Sequence, residues 1–252
     1  MSAIDVGWPL AALLVMLALL AAGVSAVSGL SAWRRPLTAG GRAAVQLAAV
    51  SLAIAFVLGS LPWTLAFVGL MTIVAAMTSC RRIVGRVTGP LTLWMLLPIA
   101  GGLLPTIVLC LVSTVVPLEP IAVLPMSGIL IGGAMTATTL AGQRVTETLR
   151  TERGQYEAAL AVGLSRRQAV DLVARPAAAI ALVPGQDQTR TVGLVTLPGA
   201  FVGVLLAGAS PAVAGATQLL VLLGLLAVQA IAAAITVQLV AAGQIPSVAG
   251  AT

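Results

Sequence analysis

The chain has 252 residues, 60% hydrophobic and 8% charged, against about half apolar and about a quarter charged in soluble domains, which excludes a water-soluble globule. All 13 basic residues are arginines and the formal net charge is +6. Aromatics are only 3% and the arginines fall in gaps between apolar runs, which excludes the basic, aromatic-studded face of a nucleic-acid binder.

A helix needs about 20 apolar residues to cross roughly 30 Å of hydrocarbon, with every backbone amide satisfied inside the segment. Seven segments qualify: 8–30, 43–60, 61–79, 91–115, 118–140, 191–206 and 213–239. The predicted fold is therefore all-α, a polytopic membrane protein of about seven transmembrane helices in one membrane domain over residues 1–252. Ahead of the first segment only Asp5 is charged; a secretory leader needs a basic start, so this segment is expected to be a retained span. Gly59-Ser60-Leu61-Pro62 predicts a tight turn between the second and third. Pro125, Gly128, Gly132 and Gly133 loosen the fifth, and Leu197-Pro198-Gly199 breaks the sixth. Cys80 and Cys110 have no C-x-x-C spacing and histidine is absent, so neither a disulfide framework nor a zinc site is supported.

The arginines occupy alternate gaps. Arg34, Arg35 and Arg42 follow the first span, Arg81, Arg82 and Arg86 the third, and seven more lie from Arg144 to Arg190. The positive-inside rule puts these gaps in the cytoplasm, the N-terminus outside and the C-terminus inside. The expected location is the cell (inner, cytoplasmic) membrane.

The long polar stretch, residues 143–190, is where function is expected. Residues 146–162 are rich in helix formers and Gly163 suits a left-handed stop. Ser165 followed by Gln168 has the S-x-x-Q form of a capping box and predicts a second short helix, interrupted at Pro176. Two helices joined by a glycine make a compact knob. On these grounds alone it either docks on a partner or lies on the membrane surface with its arginines at the headgroups.

For a translocation path, the candidates are Gln46, Met126, Met135, Pro198 and Gly199, because polar or soft side chains and helix breaks mark membrane sites. Methionines and glycines also serve ordinary helix packing, and the metal ligands stay unassigned. No Asp or Glu falls clearly inside a predicted span, Glu119 standing at the very start of the fifth, which disfavours a proton-coupled carrier. An intramembrane enzyme lacks histidine and an in-span carboxylate pair.

Glu157-Ala158-Ala159, then Gly163, Ser165 and Gln168-Ala169, resembles the EAA loop of ABC permeases, a cytoplasmic coupling-helix loop that fits a cleft on the ATPase subunit. Gly41-Arg42 with Gln46-Leu47, Gly142-Gln143-Arg144-Val145, Thr191-Val192-Gly193-Leu194-Val195, Leu197-Pro198-Gly199 and Ala207-Gly208 with Pro211 are similar, in the same order, to the FetB-type family. That family comprises bacterial iron-export permeases and plant relatives implicated in aluminium tolerance. The resemblance implies an ABC permease exporting iron, another metal ion or a small solute, in which Glu157, Ala158, Ala159, Gly163, Ser165 and Gln168 couple to the ATPase. It implies a second copy of the chain, with ATP and Mg at a separate ATPase subunit and no cofactor on this one. The chain has no lysine and so no P-loop. An importer of metals or small polar solutes and a non-catalytic membrane scaffold are the competing expectations. Two departures stand out: Arg190 replaces the family's lysine before Thr-Val-Gly, and Gly132-Gly133-Ala134-Met135 lacks its asparagine.

Overall fold

The computed structural model describes residues 7–29 and 32–246. The elements are α1 (Trp8–Ser28), α2 (Arg34–Leu58), α3 (Leu61–Val84), α4 (Gly89–Val112), α5 (Pro120–Thr151), α6 (Arg153–Ala161), α7 (Arg166–Val173), α8 (Arg175–Ala178), a 3-10 turn (Ala179–Leu182), α9 (Val183–Thr191), α10 (Gly199–Leu206) and α11 (Pro211–Ala241). Among the described residues, α1 to α5 and α11 are long and apolar enough to cross a membrane. The molecule is thus an all-α, multi-pass membrane protein. Proline at the first or second position starts five of these six helices, where its missing N–H is free in any helix.

Residues 1–59 and 60–252 form two compact units. In the first, α1 packs on α2, and the Arg34 guanidinium lies 5.1 Å from the centre of the Trp33 ring. The second unit is built on α3, α4, α5 and α11. Met95 and Ile99 of α4, Leu130 of α5, and Val228 and Val240 of α11 are fully buried at its centre.

Lipid removes the hydrophobic drive between helices, so close approach and hydrogen bonds must hold them together. A β-carbon on Gly102 would stand 2.8 Å from the Val228 carbonyl oxygen, so α4 and α11 approach backbone to backbone there. The Thr139 hydroxyl donates to Ser79 Oγ at 3.1 Å, and Ser79 Oγ donates to the Met135 carbonyl at 3.4 Å, linking α3 to α5. Thr72, Thr106 and Thr236 return their hydroxyls to the carbonyl one turn earlier, which satisfies them without water.

The contacts fix directions. Met71 meets Gly128 and Gln143 donates to the Arg82 carbonyl, so α3 and α5 are parallel. Gly224 of α11 meets Leu130 of α5 and Thr106 of α4, while Gly101 meets Ile235, so α11 runs with α5 and against α4. The ends of α3, α5 and α11 therefore share one side with the start of α4. Arg81, Arg82, Arg86, Arg144 and Arg150 gather on that side, joined by Arg166, which lies against Gly243.

The predicted sixth span, 191–206, is corrected. Its only helix is α10, which at eight residues reaches about 12 Å, and Val192–Thr196 forms a tight turn with an isolated bridge. Proline and glycine at 198 and 199 restart the helix rather than kink it. In its place lies a broken helical segment that begins earlier and follows α11. Arg166 lies at Gly243, Gly185 at Gln229, and Phe201 at Gln218, so residues 166–201 run antiparallel to α11 along about 35 Å of it, at roughly 1.5 Å per residue.

Candidate functional site

Local chemistry builds the knob. After Thr151 the chain turns at Glu152 into α6, which packs on α7 and buries Tyr156 and Ala159 of the one, Ala169 and Val170 of the other. Gly163 has φ 93, a left-handed conformation that strains L side chains. It lets the Leu164 N–H donate to the Ala159 carbonyl and the Gly163 N–H to that of Leu160, a Schellman stop. The capping box forms as predicted: the Gln168 N–H donates to Ser165 Oγ at 3.3 Å and the Ser165 N–H to Gln168 Oε1 at 2.8 Å.

The outer surface of the knob is chemically mixed. Arg153 donates to Glu157 at 2.7 Å and Arg150 to Glu147 at 2.7 Å; both pairs are exposed and screened by water, so they add little to stability. Ala158 is exposed beside Glu157. Val162 and Leu172 are 79% and 65% exposed, two aliphatic side chains left bare among arginines and glutamates.

Within the second unit the predicted path residues do not converge. Gln46 is an exposed residue of α2 in the first unit. Met126 is buried on α5 and Met135 half-buried on the same helix. Pro198 caps α10 and lines a cavity of about 330 Å³ together with Val192, Phe201, Gln218 and Leu222; Gly199 opens the helix beside it. Neither methionine reaches that cavity. Among the described residues no three His, Cys, Asp or Glu groups lie close enough to hold a metal ion.

Two glutamines that sequence reasoning passed over stand against this broken segment. Gln218 is 3% exposed and its Oε1 accepts the Phe201 N–H at 3.2 Å, tying α10 to α11. Gln229 is 8% exposed, held between two glycines. A β-carbon on Gly133 would lie 3.5 Å from its Nε2, and one on Gly185 would collide with its Oε1. That Oε1 is buried without a hydrogen-bond partner, a state that costs about 1–3 kcal/mol. The available signal was three glutamines, Gln218, Gln229 and Gln238, in a mainly aliphatic run, whereas the sequence reading selected Gln46.

α9 leaves this junction carrying Gln186, Asp187, Gln188, Thr189 and Arg190. Arg190 is thereby separated from the arginines gathered at the other end of the second unit, between the level of Gln229 and the cavity at Gln218. It pairs with Asp187 at 3.7 Å, and their side chains are 73% and 60% exposed.

The model of the family described as "Uncharacterised protein family (UPF0014)" matches residues 8–244. A UPF0014 membrane protein of Synechocystis is 31% identical over 86% of this chain and 84% of its own length. The "Probable iron export permease protein FetB" of Escherichia coli is 27% identical over 83% of this chain and 81% of its own. The rice "UPF0014 membrane protein STAR2" is 38% identical, but over 49% of this chain and 44% of its own length. No solved structure gives a significant match.

Proposed function

The chain belongs to the UPF0014 family, and from that premise we propose that it is the permease subunit of an ABC transporter that exports iron, another metal ion or a small solute. ATP and Mg are handled by a separate cytoplasmic ATPase, and two copies of the chain form the transmembrane part. One observation carries this reading: the α6–α7 knob is rigidly capped at both ends of its turn, yet leaves Val162, Leu172, Ala158 and Glu157 bare. Apolar side chains on a rigid polar knob suit a protein cleft. The metal cargo rests on the name of the E. coli relative, an iron export permease.

In this reading the arginine-rich end faces the cytoplasm, with the N-terminus outside and the C-terminus inside. The broken crossing brings the number of passages to seven. ATP-driven closure of the partner pushes the knob, and the push reaches the broken crossing directly, because α7 leads into α8 and α9 without a long linker.

The deciding experiment co-purifies the full chain with candidate ATPase subunits and measures ATP hydrolysis in liposomes against a panel of metal ions and small solutes. Stable capture with solute-dependent stimulation is the expected result. No capture under crosslinking would return the knob to the membrane surface and the chain to a scaffold.

A further inference from the structure

The polar helix α9 lies at the wrong depth for a surface loop. Its Gly185 is level with Gln229 and with Gly133, which is about 20 Å along α5 from its start at Pro120. It ends beside Val192, in the cavity with Gln218 and Leu222. Gln186 to Arg190 therefore stand alongside the aliphatic middle of α11, where Leu219 and Leu223 are exposed. Ionisable side chains at such a depth are costly against lipid and face water or protein.

Two features show that this chain does not satisfy the segment itself. Asp187 and Arg190 are more than half exposed and their pair, at 3.7 Å, is longer than a hydrogen bond. Behind them, the buried Gln229 amide turns an uncommitted acceptor toward Gly185 rather than making a bond to α9. A helix built only to pack would not carry five consecutive polar residues beyond that glycine.

We propose that the exposed face of α9 lines a water-filled path through the membrane unit and that the Asp187 carboxylate takes up a hydrated hard cation there. The proposal rests on the permease reading and gives its path a location. A cation arriving at Asp187 displaces the loosely held Arg190, and oxygen donors are what hard cations select. Gln186 and Gln188 supply neighbouring amides.

The test uses the full chain in lipid vesicles with Cys80→Ala and Cys110→Ala, and Gln186→Cys, Gln188→Cys or Arg190→Cys added singly. A charged, membrane-impermeant thiol reagent is applied, with Leu104→Cys and Leu223→Cys, both exposed on aliphatic helix faces outside the cavity, as controls. Because the thiolate reacts and apolar surroundings suppress it, the α9 positions should label at least ~10-fold faster than the controls. Mn²⁺ should slow labelling of Gln188→Cys, and Asp187→Asn should abolish that protection. Slow labelling, as when lipid or a second copy covers α9, overturns the proposal; so does labelling that Mn²⁺ leaves unchanged or protects equally in Asp187→Asn. None of these readouts needs the ATPase, so absence of a partner would sink the permease reading while leaving this result to stand or fall separately.

Discussion

The side-chain oxygen of Gln229 occupies the place where a β-carbon of residue 185 would stand, so Gly185 and Gln229 interlock α9 with α11. Gly133 closes the other side of the same amide. Three elements of the second unit thus meet at one glutamine, and the absence of a β-carbon at 185 makes room for it.

Gly185→Ala is expected to lower stability in detergent by about 1–3 kcal/mol, because the new methyl must expel Gln229 from a packed junction. Combining it with Gln229→Ala should recover much of the loss, since the colliding atoms are gone. A double-mutant cycle by thermal unfolding reads the coupling. Additive effects would show that the two residues do not share the space.

The crossing of α4 on α11 offers a sharper contrast between neighbours. Gly102→Ala places a methyl against the Val228 backbone carbonyl at 2.8 Å, which cannot move without separating the helices, whereas Gly101→Ala meets only the tip of Ile235. Gly102→Ala should cost about 1–3 kcal/mol and Gly101→Ala about 0.5 kcal/mol or less, as the Ile235 tip changes rotamer. Equal losses at both positions would argue against a backbone contact there.

Ser165→Ala removes the oxygen that accepts the Gln168 N–H and should cost the knob about 1 kcal/mol. Ser165→Asp keeps an acceptor and should preserve it. Hydrogen exchange of the Ala169 and Val170 amides, one turn inside α7 and buried, reports the fraying locally. Unchanged exchange in Ser165→Ala would mean that packing of Ala169 and Val170 alone holds the helix.

The knob was legible in sequence because its determinants are local: Ser165 and Gln168 are three residues apart, and Gly163 follows α6 within two. The long helices were legible from apolar length, with α2 and α3 extending beyond the predicted 43–60 and 61–79 because Arg34 and Arg82 begin or end helices as well as they fill loops. The broken segment 166–201 was not legible. Hydropathy assigns Gln186 to Arg190 to a loop and the apolar 191–206 to a span, whereas the packing of Gly185 against Gln229 is decided by residues far apart in sequence. The turn at Val192–Thr196 then shortens the apparent span to eight helical residues.

Glu157 and Gly163 test the coupling role from two directions. Glu157 is exposed and bonded only to Arg153 on its own helix, a pair worth about 0.3–0.5 kcal/mol in water, so Glu157→Lys should leave the fold and membrane insertion intact. Any loss of ATPase stimulation in that variant then belongs to the partner contact. Gly163→Val puts a β-branched residue at φ 93, which costs about 1–2 kcal/mol and redirects α7 relative to α6, while Gly163→Asn tolerates the conformation and should couple normally. Stimulation of the captured ATPase in liposomes is the readout. If Glu157→Lys and Gly163→Val both stimulate as the parent chain does, the knob neither contacts the ATPase through its glutamate nor depends on the angle between its helices, and the coupling role falls even if capture persists.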